Sequence, residues 1–422
     1  MVENKDMEEL KEGWRRVKLE NLTNYIARGI PPKYSENLND MIVINQKCIR
    51  DGKLSLKDSR YHNYSLKKVA EEKILKKYDI LINSTGVGTL GRVCQNLLDN
   101  ENLIVDTHVT IVRPNLEKIN PIYLGFAIRN NQKFIESLGE GSTGQTELKR
   151  QRLADEVEIF YPEDIKTQEK IASILSALDD KIEINNEMNK TLEEMAQTLF
   201  KRWFIDFDFP NENGEPYRSS GGKMVDSELG EIPEGWEVNK YGALVKLNGL
   251  NTKKGNHLRD LPYVPIDCIP KKSLGLQEFK SWKEAESSLQ LFNENDILFG
   301  AMRAYFHKVV ISPFKGVTRK TCFILTPLEE NDLSYVTLLT FQESTIDYAN
   351  SNSKGTTMPY AVWENGLENM SVINPPQNIK EKFNSYVYPL LNSIKSSLLS
   401  NKSLTEIRDT LLPKLMSGEI EV

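Results

Sequence analysis

The sequence predicts an α+β chain built on an internal pseudo-two-fold repeat: two similar, mostly β segments separated by two long helices that pair as an antiparallel coiled coil. Three observations carry this. Blocks of sequence recur between the two halves of the 422 residues. Each half holds short β-branched runs bounded by Gly, Pro, Asn and Asp. After each such region an apolar seam steps by four and three over a length no single domain face requires.

The repeat fixes the order of the elements. "EGW" occurs at Glu12–Trp14 and again at Glu234–Trp236, and "YDILIN" from Tyr78 is answered by "NDILFG" from Asn295. "GSTGQTELKRQRLADEVEIFYP" from Gly141 aligns with "GTTMPYAVWENGLENMSVINPP" from Gly355, carrying Thr143 onto Thr357, Leu153 onto Leu367 and Pro162 onto Pro376 without a gap. "NKTLEEMAQTLFKRWF" from Asn189 then faces "NKSLTEIRDTLLPKLM" from Asn401. A self-similar period is a sign of duplicated architecture. The expected layout is a first recognition-type domain over 1–162, a central helix over 163–210, a linker over 211–233, a second domain over 234–376 and a C-terminal helix over 377–422.

Within each domain the strands are expected to form a twisted, largely antiparallel sheet. Short helices are expected at "PIYLGFAIRNNQKFIESL" and "LSYVTLLTFQESTIDYAN". The central helix has its seam at Ile171, Leu175, Leu178 and Ile182, then Asn185 and Asn189, then Leu192, Ala196 and Leu199. From Thr167 to Ile205 it would span roughly 58 Å. The C-terminal seam runs through Phe383, Val387, Leu390, Ile394, Leu398, Asn401, Leu404, Leu411 and Leu415. One apolar stripe must be buried, and the other copy is the natural partner; asparagine on such a seam fixes register at some loss of stability. "DFDFPNENGEPYRSSGGKMVDSELGEIPEGW" is rich in Gly, Pro, Ser, Asn and acid, and reads as a linker.

Composition excludes several classes of function. No apolar run reaches the roughly 20 residues of a membrane helix, and "MVENKDMEELKEGW" has no signal-peptide core. Cys48, Cys94, Cys268 and Cys322 lie far apart, as reduced cytosolic thiols would, and the four histidines lack metal-ligand spacing. The expectation is a cytoplasmic protein. "STGVGTLG" contains G-x-G-x-x-G at Gly86, Gly88 and Gly91, but strand and turn follow where a dinucleotide fingerprint needs a helix. "NPPQ" at Asn374 lacks the aromatic that follows N-P-P in adenine methyltransferases, and reads as a strand exit. Asp58 with Glu71–Lys73 is a crude D…ExK match of the kind that arises by chance. There is no phosphate-binding G-x-x-x-x-G-K-[ST] loop. Catalysis is not the expectation.

Charge points instead to nucleic acid. The net charge is −6, yet Gln46–Lys77 holds ten Lys/Arg against four Asp/Glu, Thr252–Lys320 twelve against seven, and Asp179–Glu215 only four against ten. A DNA binder needs a local basic face, not a basic total. Candidate DNA contacts in copy one are Lys33 in "ARGIPPKYS", Gln46, Lys47, Arg50 and Lys53 in "INQKCIRDGK", Arg60 in "DSRYHNY", Thr85 and Arg92 around the glycine loop, and Thr143, Lys149, Arg150 and Arg152. In copy two they are Arg259 in "NTKKGNHLR", Lys271 and Lys272 in "IPKKS", Arg303, His307 and Lys308 in "AMRAYFHK", Arg319 and Lys320 in "GVTRK", and Lys354 and Thr356. Arg, Gln and Asn read base edges, whereas Lys, Ser and Thr anchor phosphates. Each loop alone is ordinary solvated surface; duplicated on one plan, together they favour DNA.

These residues resemble the specificity subunit of Type I restriction–modification enzymes. The resemblance runs from "EGWRRVKLENL" to "LLPKLMSGEI". It is most specific in "TQEKIASILSALDDKIEINNEMNKTLEEMAQTLFKRWFIDFDFP" and its C-terminal echo, in "IARGIPPKYS" with "INQKCIRDGK", and in "NDILFGAMRAYFHKV". It implies two target-recognition domains, each reading half of an asymmetric bipartite site in double-stranded DNA, with the helices as spacer. It further implies two docked methyltransferase subunits and recruited restriction/translocase subunits. This chain would carry no cofactor; the partners would use S-adenosylmethionine, ATP and Mg. Half-sites one DNA turn apart lie about 34–36 Å between centres. Phe200, Trp203, Phe204 and Phe207 are the expected partner contacts. The first helix ends in "LFKRWFIDFD" and the second in "LLPKLMSGEI", so the two docking surfaces would differ in strength. The competing readings are the specificity module of a Type II-like methyltransferase/endonuclease, a self-sufficient nuclease/methyltransferase, and an adaptor with no DNA role.

Overall fold

The computed structural model describes residues 11–100, 102–141 and 146–422. It divides into two compact units, one of Met1–Asp180 with Thr405–Val422, the other of Lys181–Leu404. The division cuts through both long helices, so each unit owns a recognition domain and a stretch of each helix; the helices are not bodies of their own.

In the first unit, strand Ile80–Asn83 lies between Val109–Pro114 and Val93–Gln95, and Val109–Pro114 also pairs with Thr23–Arg28, all antiparallel. A second sheet is built on Met41–Ile44, which pairs with Leu103–Val105 in parallel and with Arg60–His62 antiparallel. Trp14–Lys18 and Glu158–Pro162 close the domain as an antiparallel pair. The expected helical stretch is present as Pro121–Asn130 and Gln132–Ser137. The Tyr123 hydroxyl, buried beneath them, donates to the Phe160 carbonyl at 2.9 Å.

The second unit repeats the antiparallel sheet and the closing pair, while its other sheet has three antiparallel strands, Leu250–Thr252, Leu289–Phe292 and Gly316–Arg319, in place of four with a parallel pair. Ile297–Gly300 lies between Cys322–Pro327 and Val309–Ile311, and Cys322–Pro327 also pairs with Val245–Leu247. Glu237–Lys240 and Ser371–Asn374 close it. Its helices are Leu333–Phe341 and Glu343–Ser351, and the Tyr335 hydroxyl donates to the Ile373 carbonyl as Tyr123 does to Phe160. The recurring "YDI" and "NDI" have the same cause. Tyr78 and Asn295 sit at φ 74° and 68°, and the buried Asp79 and Asp296 that follow accept backbone N–H groups of Lys76 and Asn293. The carboxylate caps the turn that feeds the central strand, and an unpaired N–H there would cost free energy. Asp79 also holds Arg113 at 2.7–2.8 Å.

The helices span Ile165–Phe200 and Gln377–Met416. In the second unit Asn185 donates to Asn401 at 2.7 Å, Asn401 donates to Asn186 at 2.9 Å, and Phe200 packs against Phe383 with ring centroids 6.2 Å apart, so the pairing is antiparallel. In the first unit Arg408 meets Asp179 at 2.6 Å, and Ile171 and Leu175 share a core with Leu412, Leu415 and Met416. Asn185 and Asn401 thus satisfy each other across the interface, as register-fixing polar positions do, while the buried Asn189 Oδ1 has no hydrogen-bond partner.

One expectation changes here. Residues 211–233 are not a loose linker. Phe209 stacks on Tyr217 and on Trp236 at 4.6 and 4.9 Å, Met224–Ser227 and Gly230–Pro233 form a hairpin, and Ile232 is buried. Polar composition hid three apolar anchors that are enough to order the arm.

Candidate nucleic-acid interface

In both units the loop after the central strand meets the segment that precedes the closing strand. Thr85 and Glu140 each bridge to Glu147; Met302 and Lys354 each bridge to Tyr360. The two loops differ in chemistry on this shared frame.

In the first unit the loop turns on Gly86, Gly88 and Gly91, all at positive φ, and a Cβ at Gly86 would fall within 2.4 Å of Thr89 Oγ1 and Gln46 Oε1. The strand Val93–Gln95 follows, not a helix, so the glycines serve a tight turn rather than a dinucleotide. Thr85 hydrogen-bonds His108 Nδ1 at 2.7 Å, Arg92 donates to the Gly88 carbonyl at 2.8 Å, and Gln46 accepts from Thr89 at 3.1 Å. Lys33, Lys47 and Arg50 are exposed, and Arg50 and Lys53 pair across the turn at Asp51–Gly52, where both residues have positive φ. The Arg60 guanidinium lies 3.4 Å from the centre of the exposed Tyr34 ring. Lys149 is paired with Glu140. Arg152 grips Glu156 through two nitrogens and reaches Glu140 and the Leu138 carbonyl. Arg152 thereby ties its helix to the neighbouring loop, and its partnership with Arg152 holds the Glu156 carboxyl below its ordinary range. Arg150 beside it is exposed. Thr143 lies outside the described residues.

In the second unit Arg303 and His307, at φ 55° and 52°, bracket a single turn, Ala304–Phe306, that leaves Tyr305 half exposed. Left-handed backbone at two non-glycine residues is strained, and such strain clusters at functional loops. The Lys271 ammonium sits 4.0 Å from the centre of the Phe306 ring. Lys272 bonds Glu343 at 2.7 Å, and Arg319 pairs with Glu286 at 3.3 Å. Lys320, Lys354, Thr356 and Arg259 are exposed. Arg259 lines a hollow with Asn256, Lys280, Trp282 and Lys283. The sequence reading passed over those four, although "KSWK" has the interleaved base and aromatic that single-strand and backbone contacts use.

Three corrections follow. His307 is buried, and its Nε2 bonds the Phe341 carbonyl at 2.8 Å; burial holds its pKa below the ordinary histidine value, so it is a neutral strut and not a DNA contact. Lys308 turns inward to the Ile266 carbonyl at 2.7 Å. Phe200, Trp203, Phe204 and Phe207 are 2–6% exposed. A π-turn at Lys201–Ile205 brings Trp203 and Phe204 inward together, and they pack on Phe383, Tyr335 and Trp236. In this fold they are core side chains rather than an exposed docking face. Large apolar side chains that do face outward on the helices of this unit include Ile184, Met188, Met195, Tyr386 and Leu399, 45–55% exposed.

Among the described residues no three His, Cys, Asp or Glu side chains gather as a metal site, and no helix is long and apolar enough to cross a membrane. All four cysteines are free and buried; burial pushes Cys268 up to about 12 and Cys322 up to about 11, far from a reactive thiolate.

Two domains on one plan, each with polar and basic loops after the central strand and each joined to stretches of two paired long helices, fit the class of DNA-recognition proteins. Residues 11–194 match the Type I restriction modification DNA specificity domain. The chain is 34% identical over 319 residues to the Type I restriction enzyme MjaIX specificity subunit of Methanocaldococcus jannaschii, covering 71% of this chain and 69% of that one. It is 24% identical over 407 residues to the Type I restriction enzyme HindI specificity subunit of Haemophilus influenzae, covering 83% and 88%. Its fold matches the crystal structure of the Type-I restriction-modification system S subunit from M. genitalium with a TM-score of 0.59 at 15% identity, over 98% of this chain and 97% of that one. The chain belongs to the Type I restriction enzyme specificity subunits, the DNA-recognition components of Type I restriction–modification systems.

Proposed function

We propose that each recognition domain reads one half of an asymmetric bipartite site in double-stranded DNA, and that the paired helices fix the separation. The observation that supports this is one frame carrying two different loops. Thr85 and the Gly86–Gly91 turn occupy in one domain the place that Met302 and the Arg303–His307 turn occupy in the other. Equal frames give equal docking on the duplex; unequal side chains give unequal half-sites. In this reading the exposed Lys and Arg around these loops anchor phosphates, and Arg50, Arg150 and Arg303 are the side chains assigned to base edges.

In this reading the chain supplies no catalytic group. Two methyltransferase subunits dock on the helices, the exposed Ile184, Met188 and Met195 forming one apolar stripe for such contact. Those subunits bring S-adenosylmethionine, and restriction/translocase subunits bring ATP and Mg. The test is methylation mapping by long-read sequencing of host DNA with and without this chain, its methyltransferase partner present in both. Methylation at a split, asymmetric sequence that vanishes without the chain is expected. Methylation that persists, or methyl transfer by the purified chain alone, refutes the reading.

A further inference from the structure

Glu193 is an acid on the central helix that no sequence pattern marks, and it is buried in the second unit. Its Oε1 accepts three hydrogen bonds from one short segment of the recognition domain: Ser273 Oγ at 2.7 Å, Leu274 N at 2.9 Å and Gly275 N at 2.9 Å. The segment presses close to the helices, since a Cβ on Gly275 would stand 2.9 Å from Ile394 Cγ2 of the C-terminal helix. The same few residues reach the DNA-facing loop. Lys271 lies against Phe306, the Lys272 amide donates to the His307 carbonyl at 2.8 Å, and the Leu274 carbonyl accepts from Ile311 N at 3.3 Å. A buried carboxylate with three donors is a strong, directional tie, and losing it leaves donors unpaired. A second buried charge grips the same domain from the other helix: Lys395 donates to Asn295 at 2.6 Å and to Glu294 at 3.0 Å.

We propose that Glu193 is a positioning residue for the second half-site: through Ser273–Gly275 it sets the placement of Lys271, Lys272 and the Arg303–His307 loop relative to the spacer helices. It does not touch DNA. The proposal rests on the bipartite reading above. The helices thereby fix the aim of the recognition loop as well as its distance.

The test uses the assembled methyltransferase complex with S-adenosylmethionine on DNA libraries randomised in one half-site, in the other, or in the spacer length. Glu193→Ala is expected to relax discrimination at the second half-site about tenfold, the scale of one mismatched base pair, and to admit spacers one base pair off. The first half-site stays as in the parent. Glu193→Gln keeps the Oε1 acceptor and is expected to behave as the parent, whereas Glu193→Met fills the same space without an acceptor and is expected to relax the second half-site as Glu193→Ala does, a loss that a merely space-filling role would not predict. Ser273→Ala removes one of the three bonds and is read in parallel in case Glu193→Ala does not assemble. Equal relaxation of both half-sites, or none in either variant, overturns the proposal; so does failure of both variants to assemble, which makes the tie a folding element. Hydrogen exchange on the parent and Glu193→Ala chains separates the two ideas. Faster exchange of the Leu274, Gly275 and His307 amides supports the tie even if the parent complex reads no bipartite site, and unchanged exchange overturns it.

Discussion

Truncating Trp203 separates a core residue from a docking anchor. The ring is 4% exposed and has three aromatic neighbours: Phe383 at 5.4 Å, Tyr386 at 6.0 Å and Phe204 at 6.2 Å. Two of these neighbours lie on the C-terminal helix, so Trp203→Ala removes apolar contact from both helices at once and leaves a cavity that their backbones cannot close. Tryptophan truncations of this kind cost about 3–5 kcal/mol, to which each lost aromatic pairing contributes about 0.5–1.5 kcal/mol beyond area burial. Against a total stability of about 5–15 kcal/mol that is a large share, and it corresponds to a fall of roughly 6–20 °C in melting midpoint for a domain of this size.

The assay is paired: thermal or denaturant unfolding of the lone chain, and co-purification with the methyltransferase. Trp203→Ala is expected to melt early, and whatever remains folded is expected to bind its partner. Met188→Asp on the exposed stripe is expected to do the reverse, leaving unfolding unchanged and abolishing co-purification, because a charge is placed where an apolar contact forms. A loss under about 1 kcal/mol for Trp203→Ala, with co-purification abolished, refutes the burial argument and restores Trp203 to the interface.

Asn185→Leu alone is expected to lower stability by about 1–3 kcal/mol, because the Asn401 Oδ1 is left without its donor; Asn185→Leu with Asn401→Leu is expected to recover most of it, measured by chemical denaturation. His307 has a lowered pKa from burial, so the unfolded chain binds the extra proton. Stability is therefore lost as pH falls below the ordinary value of about 6.5, and His307→Gln is expected to flatten that stretch of the pH–stability curve. Replacing residues 12–162 with the corresponding domain of another specificity subunit is expected to change one half of the methylated sequence and to leave the other half and the spacing intact, read by methylation mapping; a change in both halves refutes modular reading.

The frame of this fold was legible because burial leaves periodic marks. The seam from Ile171 to Leu199 and the closing "EIFYP" and "SVINP" strands are apolar patterns that burial forces on the sequence, and the paired "YDI" and "NDI" turns recur because each needs a buried aspartate to cap it. The two short-helix stretches were found for the same reason. What stayed hidden has a common cause: a residue's letter does not say what it faces. Trp203 and Phe204 end an acidic helix, and nothing in "FKRWF" announces that a π-turn will rotate both inward. The Gly/Ser-rich arm at 211–233 read as a linker because Tyr217 and Ile232 within it, and Phe209 just before it, are scattered among polar residues.

Charged side chains are the hardest to place, and the two basic loops show why. Arg150 and Arg152 are two residues apart on one short helix, so they point to different faces, and only Arg152 finds acids within reach. Lys271 and Lys272 are adjacent, yet one lies on an aromatic ring and the other on a carboxylate. A local excess of Lys and Arg therefore locates a basic region without identifying its free members. That choice is made by neighbours distant in sequence, such as Glu343 for Lys272 and Ile266 for Lys308. The consequence for specificity is physical. Under the bipartite reading proposed above, fastened cations shape the loop and exposed ones beside them meet the DNA, so removing Arg152 or Lys272 is expected to alter loop geometry, and removing Arg150 or Lys320 to alter contact alone.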